Sequence, residues 1–138
     1  MPAKDIYHDA VKNALIKDGW VILADPYFLQ FGDVDLFADL LVEKPLLAEK
    51  RGNTIVVEIK SFISFSLIRD LQNALGQYLI YRDVLELTNQ NYEIYLAIRD
   101  TIFEDFFQKD AIQAIVKRHG VKFIVFNDER EKIASWIN

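Results

Sequence analysis

Glu58 and Lys60 stand two residues apart in the stretch Thr54–Phe62, Thr-Ile-Val-Val-Glu-Ile-Lys-Ser-Phe. This stretch has the composition of a buried strand, rich in β-branched residues and poor in polar ones. Residues two apart on a strand point to the same face, so a carboxylate and an ammonium lie side by side, with Val56 before them. A charge in an apolar interior is costly unless it is paired or holds a metal. On an edge strand, or a sheet with one wet face, the two would be ordinary solvated charges. Chemistry at this strand therefore requires other groups to converge on it.

Several groups do. Val34–Val42 reads as a strand with Asp35, Phe37, Asp39 and Leu41 on one face and Val34, Leu36, Ala38 and Leu40 on the other. Glu43–Asn53 contains Pro45 and ends in Arg51-Gly52-Asn53, the pattern of a long hairpin connection. Antiparallel pairing across it brings Asp39 opposite Glu58 and centres the turn near residues 48 and 49. Asp39 fits this geometry better than Asp35, which takes a supporting or exposed place. Gln77 and Tyr81, four apart, share a face of the next helix, and His8 sits in the first helix. Two carboxylates on neighbouring strands suit a hard cation, Mg²⁺ or Mn²⁺, which takes oxygen ligands and keeps several waters. Such an ion acidifies a bound water and polarises a phosphate. An ammonium beside it orients the nucleophile or stabilises charge building on the phosphate.

The elements that must carry these groups follow from periodicity. Asp5–Asp18 predicts an amphipathic helix with Tyr7, Val11, Ala14 and Leu15 in one stripe, Ile6 and Ala10 at its edge, Asp5 as N-cap and Gly19 as stop. Trp20–Ala24 is a short strand, Asp25-Pro26 a turn, and Tyr27–Asp33 a connection. Ser64 or Ser66 caps a helix running to about Leu87. Gly76 inside it implies a close backbone contact, since glycine there costs about 1 kcal/mol against alanine. Tyr92–Ile98 is a strand. Thr101-Ile-Phe-Glu104 has the spacing of a capping box and opens a helix to His119, stopped by Gly120. His119 then serves as a cation at a helix C-terminus. Val121–Phe126 and Lys132–Ile137 are strands about an Asn127-Asp128 turn. Phe103, Phe106, Phe107, Trp20 and Trp136 read as packing residues. The order α-β-β-β-α-β-α-β-β predicts an α/β (α+β) domain over residues 1–138, a mixed sheet flanked by helices.

Composition narrows the function. The chain lacks cysteine, which excludes disulfides and Cys-ligated zinc or iron–sulfur sites. Its start, Met-Pro-Ala-Lys-Asp, has no signal-peptide run, and no apolar run approaches the roughly 20 residues that span a membrane. The expected location is cytoplasmic, away from membranes. A formal net charge of −5 counts against nonspecific nucleic-acid binding but leaves room for a small metal-assisted site.

Asp39 followed by Glu58-Ile59-Lys60 in this element order resembles the PD-(D/E)XK nuclease superfamily, and Gln77-Tyr78-Leu79-Ile80-Tyr81 resembles the Q-x-x-x-Y helix of some members. More narrowly, the whole chain resembles the XisH family, the fdxN element excision controlling factors of cyanobacteria. The residues carrying that likeness are Met-Pro-Ala-Lys-Asp-Ile-Tyr-His-Asp-Ala-Val at the start, Val56–Phe62, Ala74–Tyr78 and the final Trp-Ile-Asn. The superfamily likeness implies a restriction-endonuclease-like fold with Asp39 and Glu58 as metal ligands, Lys60 as the catalytic lysine, and Gln77 and Tyr81 in support. Ala38 replaces the proline often found before the aspartate, and His8 occupies the first-helix position where many members place glutamate. A neutral imidazole there would hydrogen-bond a metal-bound water. The XisH likeness implies programmed DNA excision in heterocyst development, with an XisI-like companion protein and a site-specific recombinase. It implies DNA as a ligand and allows a homodimer. It equally allows a non-catalytic regulator that keeps the nuclease fold and works by binding a protein partner.

Overall fold

The computed structural model describes residues 4–45 and 53–138. Residues 1–3 and the expected turn centre at 48 and 49 lie outside them.

Six strands form the main sheet: β1 (Val21–Ala24), β4 (Leu40–Lys44), β5 (Asn53–Ile59), β6 (Glu93–Arg99), β7 (Phe123–Asn127) and β8 (Lys132–Ile137), adjacent in that order. The pairs β5–β6 and β6–β7 are parallel; the others are antiparallel. Helix α2 (Leu67–Leu87) links β5 to β6, as a parallel pair requires a crossover. A mixed sheet flanked by helices is what the element order predicts.

Two segments depart from it. Tyr27–Phe31, expected as a connection, is strand β2, and Val34–Ala38 is β3; the two form a separate hairpin about Gly32, which lies at φ +60°. Residues 34–42 are therefore not one strand, and five strands rather than three precede α2. The break falls at Asp39. Ala38 and Leu41, three apart, both join the core under α2, while Leu40 and Val42 face the opposite core. An odd spacing within one face means the chain has stepped out of the pleat. The second departure is the helix expected over 101–119. It is α3 (Asp100–Glu104), a 3₁₀ turn (Phe106–Gln108) and α4 (Asp110–Arg118). Thr101 caps nothing, because α3 already begins at Asp100 and its N-cap side chain makes no hydrogen bond. The break buries Phe106 and Phe107 against Phe62, with Phe62 and Phe107 edge to face at 5.2 Å.

Other expectations shift little. Helix α1 (His8–Lys17) starts later than Asp5, which instead accepts a hydrogen bond from the Tyr7 N–H at 2.9 Å and closes the preceding turn. Ser66, of the two candidates, caps α2 by accepting from Arg69 N–H. Among the described residues Gly76 makes no close approach: a Cβ there would meet nothing within 4 Å. Gly120 ends α4 at φ +61°, as a C-terminal glycine does.

Two apolar cores sandwich the sheet. On one face α1 packs Val11 and Leu15 against Ile55, Val57 and Ile59 of β5, with Trp20 and Trp136 in contact at 5.5 Å. On the other, α2 packs Leu71, Ala74 and Tyr78 over Val56 and Leu96. The Tyr78 hydroxyl, on a fully buried side chain, donates to Ile94 O and accepts from Lys122 N–H, both at 3.0 Å, tying α2 to β6 and to the residue that leads into β7. Among the described residues no helix is long and apolar enough to cross a membrane.

Candidate functional site

The register of β4 on β5 sets the site. Leu40 pairs with Val57 and Leu41 with Val56, which is the register that places Asp39 opposite Glu58. At that point the ladder gives way to side chains. The Asp39 N–H donates to Glu58 Oε1 at 2.9 Å, and the Ile59 N–H donates to Asp39 Oδ2 at 2.7 Å. Each carboxylate thus satisfies a backbone donor on the other's strand, and the strand break at Asp39 is closed by Glu58. Buried donors left without partners would be costly, so the exchange pins both side chains.

Asp39, Glu58 and Lys60 line one cleft of about 370 Å³ with Asp35, Gln77 and Tyr81. Every proposed site residue except His8 lies along it. Asp35, exposed near the start of β3, stands at its rim. Lys60 follows the last residue of β5, where its N–H continues the parallel ladder to Ala97 O at 3.2 Å. Two residues on, Phe62 sits at φ 51°, a left-handed conformation costly for a bulky residue and held by its aromatic neighbours. That turn takes the chain off the sheet just beyond Lys60. Tyr81 is buried and donates to Phe37 O at 3.1 Å, bracing the end of the hairpin beside Asp39. Gln77 is exposed on the helix above the cleft.

Glu58 is only 4% exposed. Burial, reinforced by the Asp39 charge, pushes its carboxyl up to about 9, against the pull of Lys60. Burial also raises Asp39, opposed by the Ile59 N–H. Burial and the two carboxylates raise the Tyr81 phenol to about 12, so it remains a donor. Two acids forced together in a low-dielectric place retain a proton or take up a cation.

The donor set fits such a cation. Asp39 and Glu58 each accept one backbone N–H, through Oδ2 and Oε1 respectively. Among the described residues no group of three His, Cys, Asp or Glu is placed to hold an ion. Two carboxylate oxygens match an ion that keeps most of its own water, such as Mg²⁺, better than one that needs a full protein cage.

His8 lies behind Asp39 on the α1 side. Its Nε2 is 2.7 Å from Asp25 Oδ1, and its Nδ1 is 3.9 Å from Asp39 Oδ1. Asp25 also accepts from Lys12 Nζ at 2.7 Å. Burial would raise the Asp25 carboxyl, but the hydrogen bonds and charges of Lys12 and His8 bring it below its ordinary value. Sequence reasoning passed over Asp25 and Lys12. The i, i+4 spacing of His8 and Lys12 on one helix was the available signal; the third member lies 13 residues beyond Lys12 and looked like a turn residue.

The sequence profile of the XisH family matches residues 1–134. The chain belongs to the XisH family. A solved XisH family protein from Nostoc punctiforme PCC 73102 is 36% identical and superposes with a TM-score of 0.86, covering 97% of this chain and 100% of that one. A fdxN element excision controlling factor protein from Anabaena variabilis is 38% identical with a TM-score of 0.87, covering 98% and 100%. No curated protein matches. XisH membership thus extends over the strand break, both carboxylates and the helix bearing Gln77 and Tyr81.

Proposed function

We propose that this XisH chain is an fdxN-type excision controlling factor that acts on DNA through a Mg²⁺- or Mn²⁺-dependent phosphodiester site of the PD-(D/E)XK kind. The observation that carries the reading is the reciprocal lock between Asp39 and Glu58. It fixes a buried and a half-buried carboxylate at the end of a strand, beside an ammonium, in an open cleft. Asp39 and Glu58 would hold the ion. When bound, it supplies charge for a phosphate and acidity for a water. Lys60 orients the attacking oxygen or neutralises the phosphoryl charge. Tyr81 holds the Asp39 turn through Phe37 O, and Gln77 closes the helix side of the cleft. A restriction-endonuclease-like fold accords with the mixed sheet and the crossover helix α2.

A second reading has its own support. The surface carries a net charge of −5, and the hairpin beside the cleft exposes Phe28, Phe31 and Val34. In this reading the chain keeps the nuclease fold and regulates excision by binding an XisI-like companion protein or a recombinase.

The deciding experiment is calorimetry of Mg²⁺ and Mn²⁺ on wild type and Glu58→Gln, with and without the companion protein, followed by cleavage assays on supercoiled DNA. Binding lost in Glu58→Gln, with cleavage lost in Lys60→Ala, supports the enzyme. Wild type that binds neither ion under either condition overturns it in favour of the regulator.

A further inference from the structure

His8 is 3% exposed, and its two ring nitrogens have different surroundings. Nε2 is 2.7 Å from Asp25 Oδ1. Nδ1 is buried, has no hydrogen-bond partner among the described residues, and faces Asp39 Oδ1 across 3.9 Å. An ionised carboxylate only accepts, and Lys12, 2.7 Å from the other Asp25 oxygen, keeps it ionised. The hydrogen of a neutral imidazole must therefore sit on Nε2, and Nδ1 is left as a bare acceptor. The large majority of buried side-chain nitrogens have a hydrogen-bond partner. In the neutral ring the unpaired nitrogen faces a carboxylate, another acceptor, so the gap between them calls for a donor. Because no three ligating side chains converge among the described residues, the group that fits is a water bound to the ion rather than the ion itself.

We infer that Lys12 and Asp25 are positioning residues for the Asp39–Glu58 site. They hold His8 in the Nε2–H tautomer so that its bare Nδ1 accepts a hydrogen bond from the water shell of a divalent cation. The inference rests on the metal-site reading above. It adds a chain running Lys12–Asp25–His8–Asp39 from the α1 surface into the cleft. Partners of this kind set ring orientation and tautomer, and their loss weakens metal binding about 10- to 100-fold.

The test uses full-length protein labelled with ¹⁵N-histidine. With only two histidines, His8 is assigned by comparison with His119→Gln. Proton–nitrogen correlation spectra, taken where the ring shifts are flat against pH, report the tautomer. Wild type is expected as Nε2–H. Asp25→Asn, whose amide can donate as well as accept, is expected to mix the tautomers and weaken Mn²⁺ binding about 10- to 100-fold with the circular dichroism unchanged. Lys12→Met, at a half-buried helix position, is the second variant should Asp25→Asn fail to fold; it is expected to shift both readouts the same way by less. An unchanged tautomer in the folded variants, or a changed tautomer with unchanged Mn²⁺ affinity, overturns the inference. If Glu58→Gln abolishes Mn²⁺ binding while Asp25→Asn does not, this inference alone fails. If wild type binds no Mn²⁺, the site reading fails and takes the inference with it.

Discussion

Strands β5 and β6 lie side by side in the middle of one sheet, parallel, seven residues each, and buried over nearly their whole length. At the register pair Glu58–Leu96 they diverge. β6 places leucine there, 1% exposed, under α2. β5 places a carboxyl in the same layer, and the chain has to break β4 at Asp39 to supply its backbone partner. One strand is built for cohesion. Its neighbour gives up apolar contact and part of a ladder to hold two acids in place. The local backbone is the same, so the difference lies in what each side chain is asked to meet.

Truncating the cohesive strand should have the largest effect. Leu96→Ala is expected to cost about 3 kcal/mol, read from denaturant unfolding, because it leaves a cavity that the packed layer cannot fill. A loss under about 1 kcal/mol would mean that β6 is not the packed partner described here.

The acidic strand should betray itself through pH. Glu58 holds its proton more tightly folded than unfolded, at about 9 against an ordinary 4.5. Its contribution to stability is then complete below about pH 4.5 and disappears as pH climbs toward about 9. Metal-free protein should lose stability across that window, and Glu58→Gln should flatten the slope while still accepting from the Asp39 N–H. Asp25, held below its ordinary value, acts in the opposite sense and only under acid conditions. Equal slopes for wild type and Glu58→Gln in chemical denaturation would remove the contrast between the strands.

A smaller test concerns the brace between the two regions. Tyr81→Phe leaves Phe37 O without its donor and should cost about 1 kcal/mol, seen as a lower melting temperature with the fold retained. The smallest effect is expected on the surface of α2. Gly76→Ala should raise stability by about 0.5–1 kcal/mol, because the position is helical and open. A loss there would point to a contact that the helix makes with something other than this chain.

The acidic strand was also the part of the molecule most readable beforehand. A glutamate and a lysine interrupting a β-branched run stand out locally, and the register follows from the connection between two apolar stretches. The helix carrying Tyr78 and Tyr81 declares itself by 3.6-residue spacing and a serine cap. The β2–β3 hairpin did not, because Phe28, Phe31 and Val34 are apolar yet exposed, and alternation cannot tell a strand that leaves the main sheet from a loop with aromatic residues. The helix over 101–119 looked continuous because Phe103, Phe106 and Phe107 fit its period; their packing on Phe62 and Phe123 is what breaks it.

Local order therefore lay in the chain itself: where most of the strands and helices form, that Glu58 and Lys60 are anomalous, and that Asp39 belongs opposite Glu58. Those features depend on neighbours a few residues apart or on one hairpin register. The break at Asp39, the exchange of backbone donors with Glu58, and the grip of Asp25 on His8 across 17 residues came into being on folding. Each depends on a backbone group or a ring nitrogen finding its partner on a different element, and periodicity along the chain carries no record of that encounter.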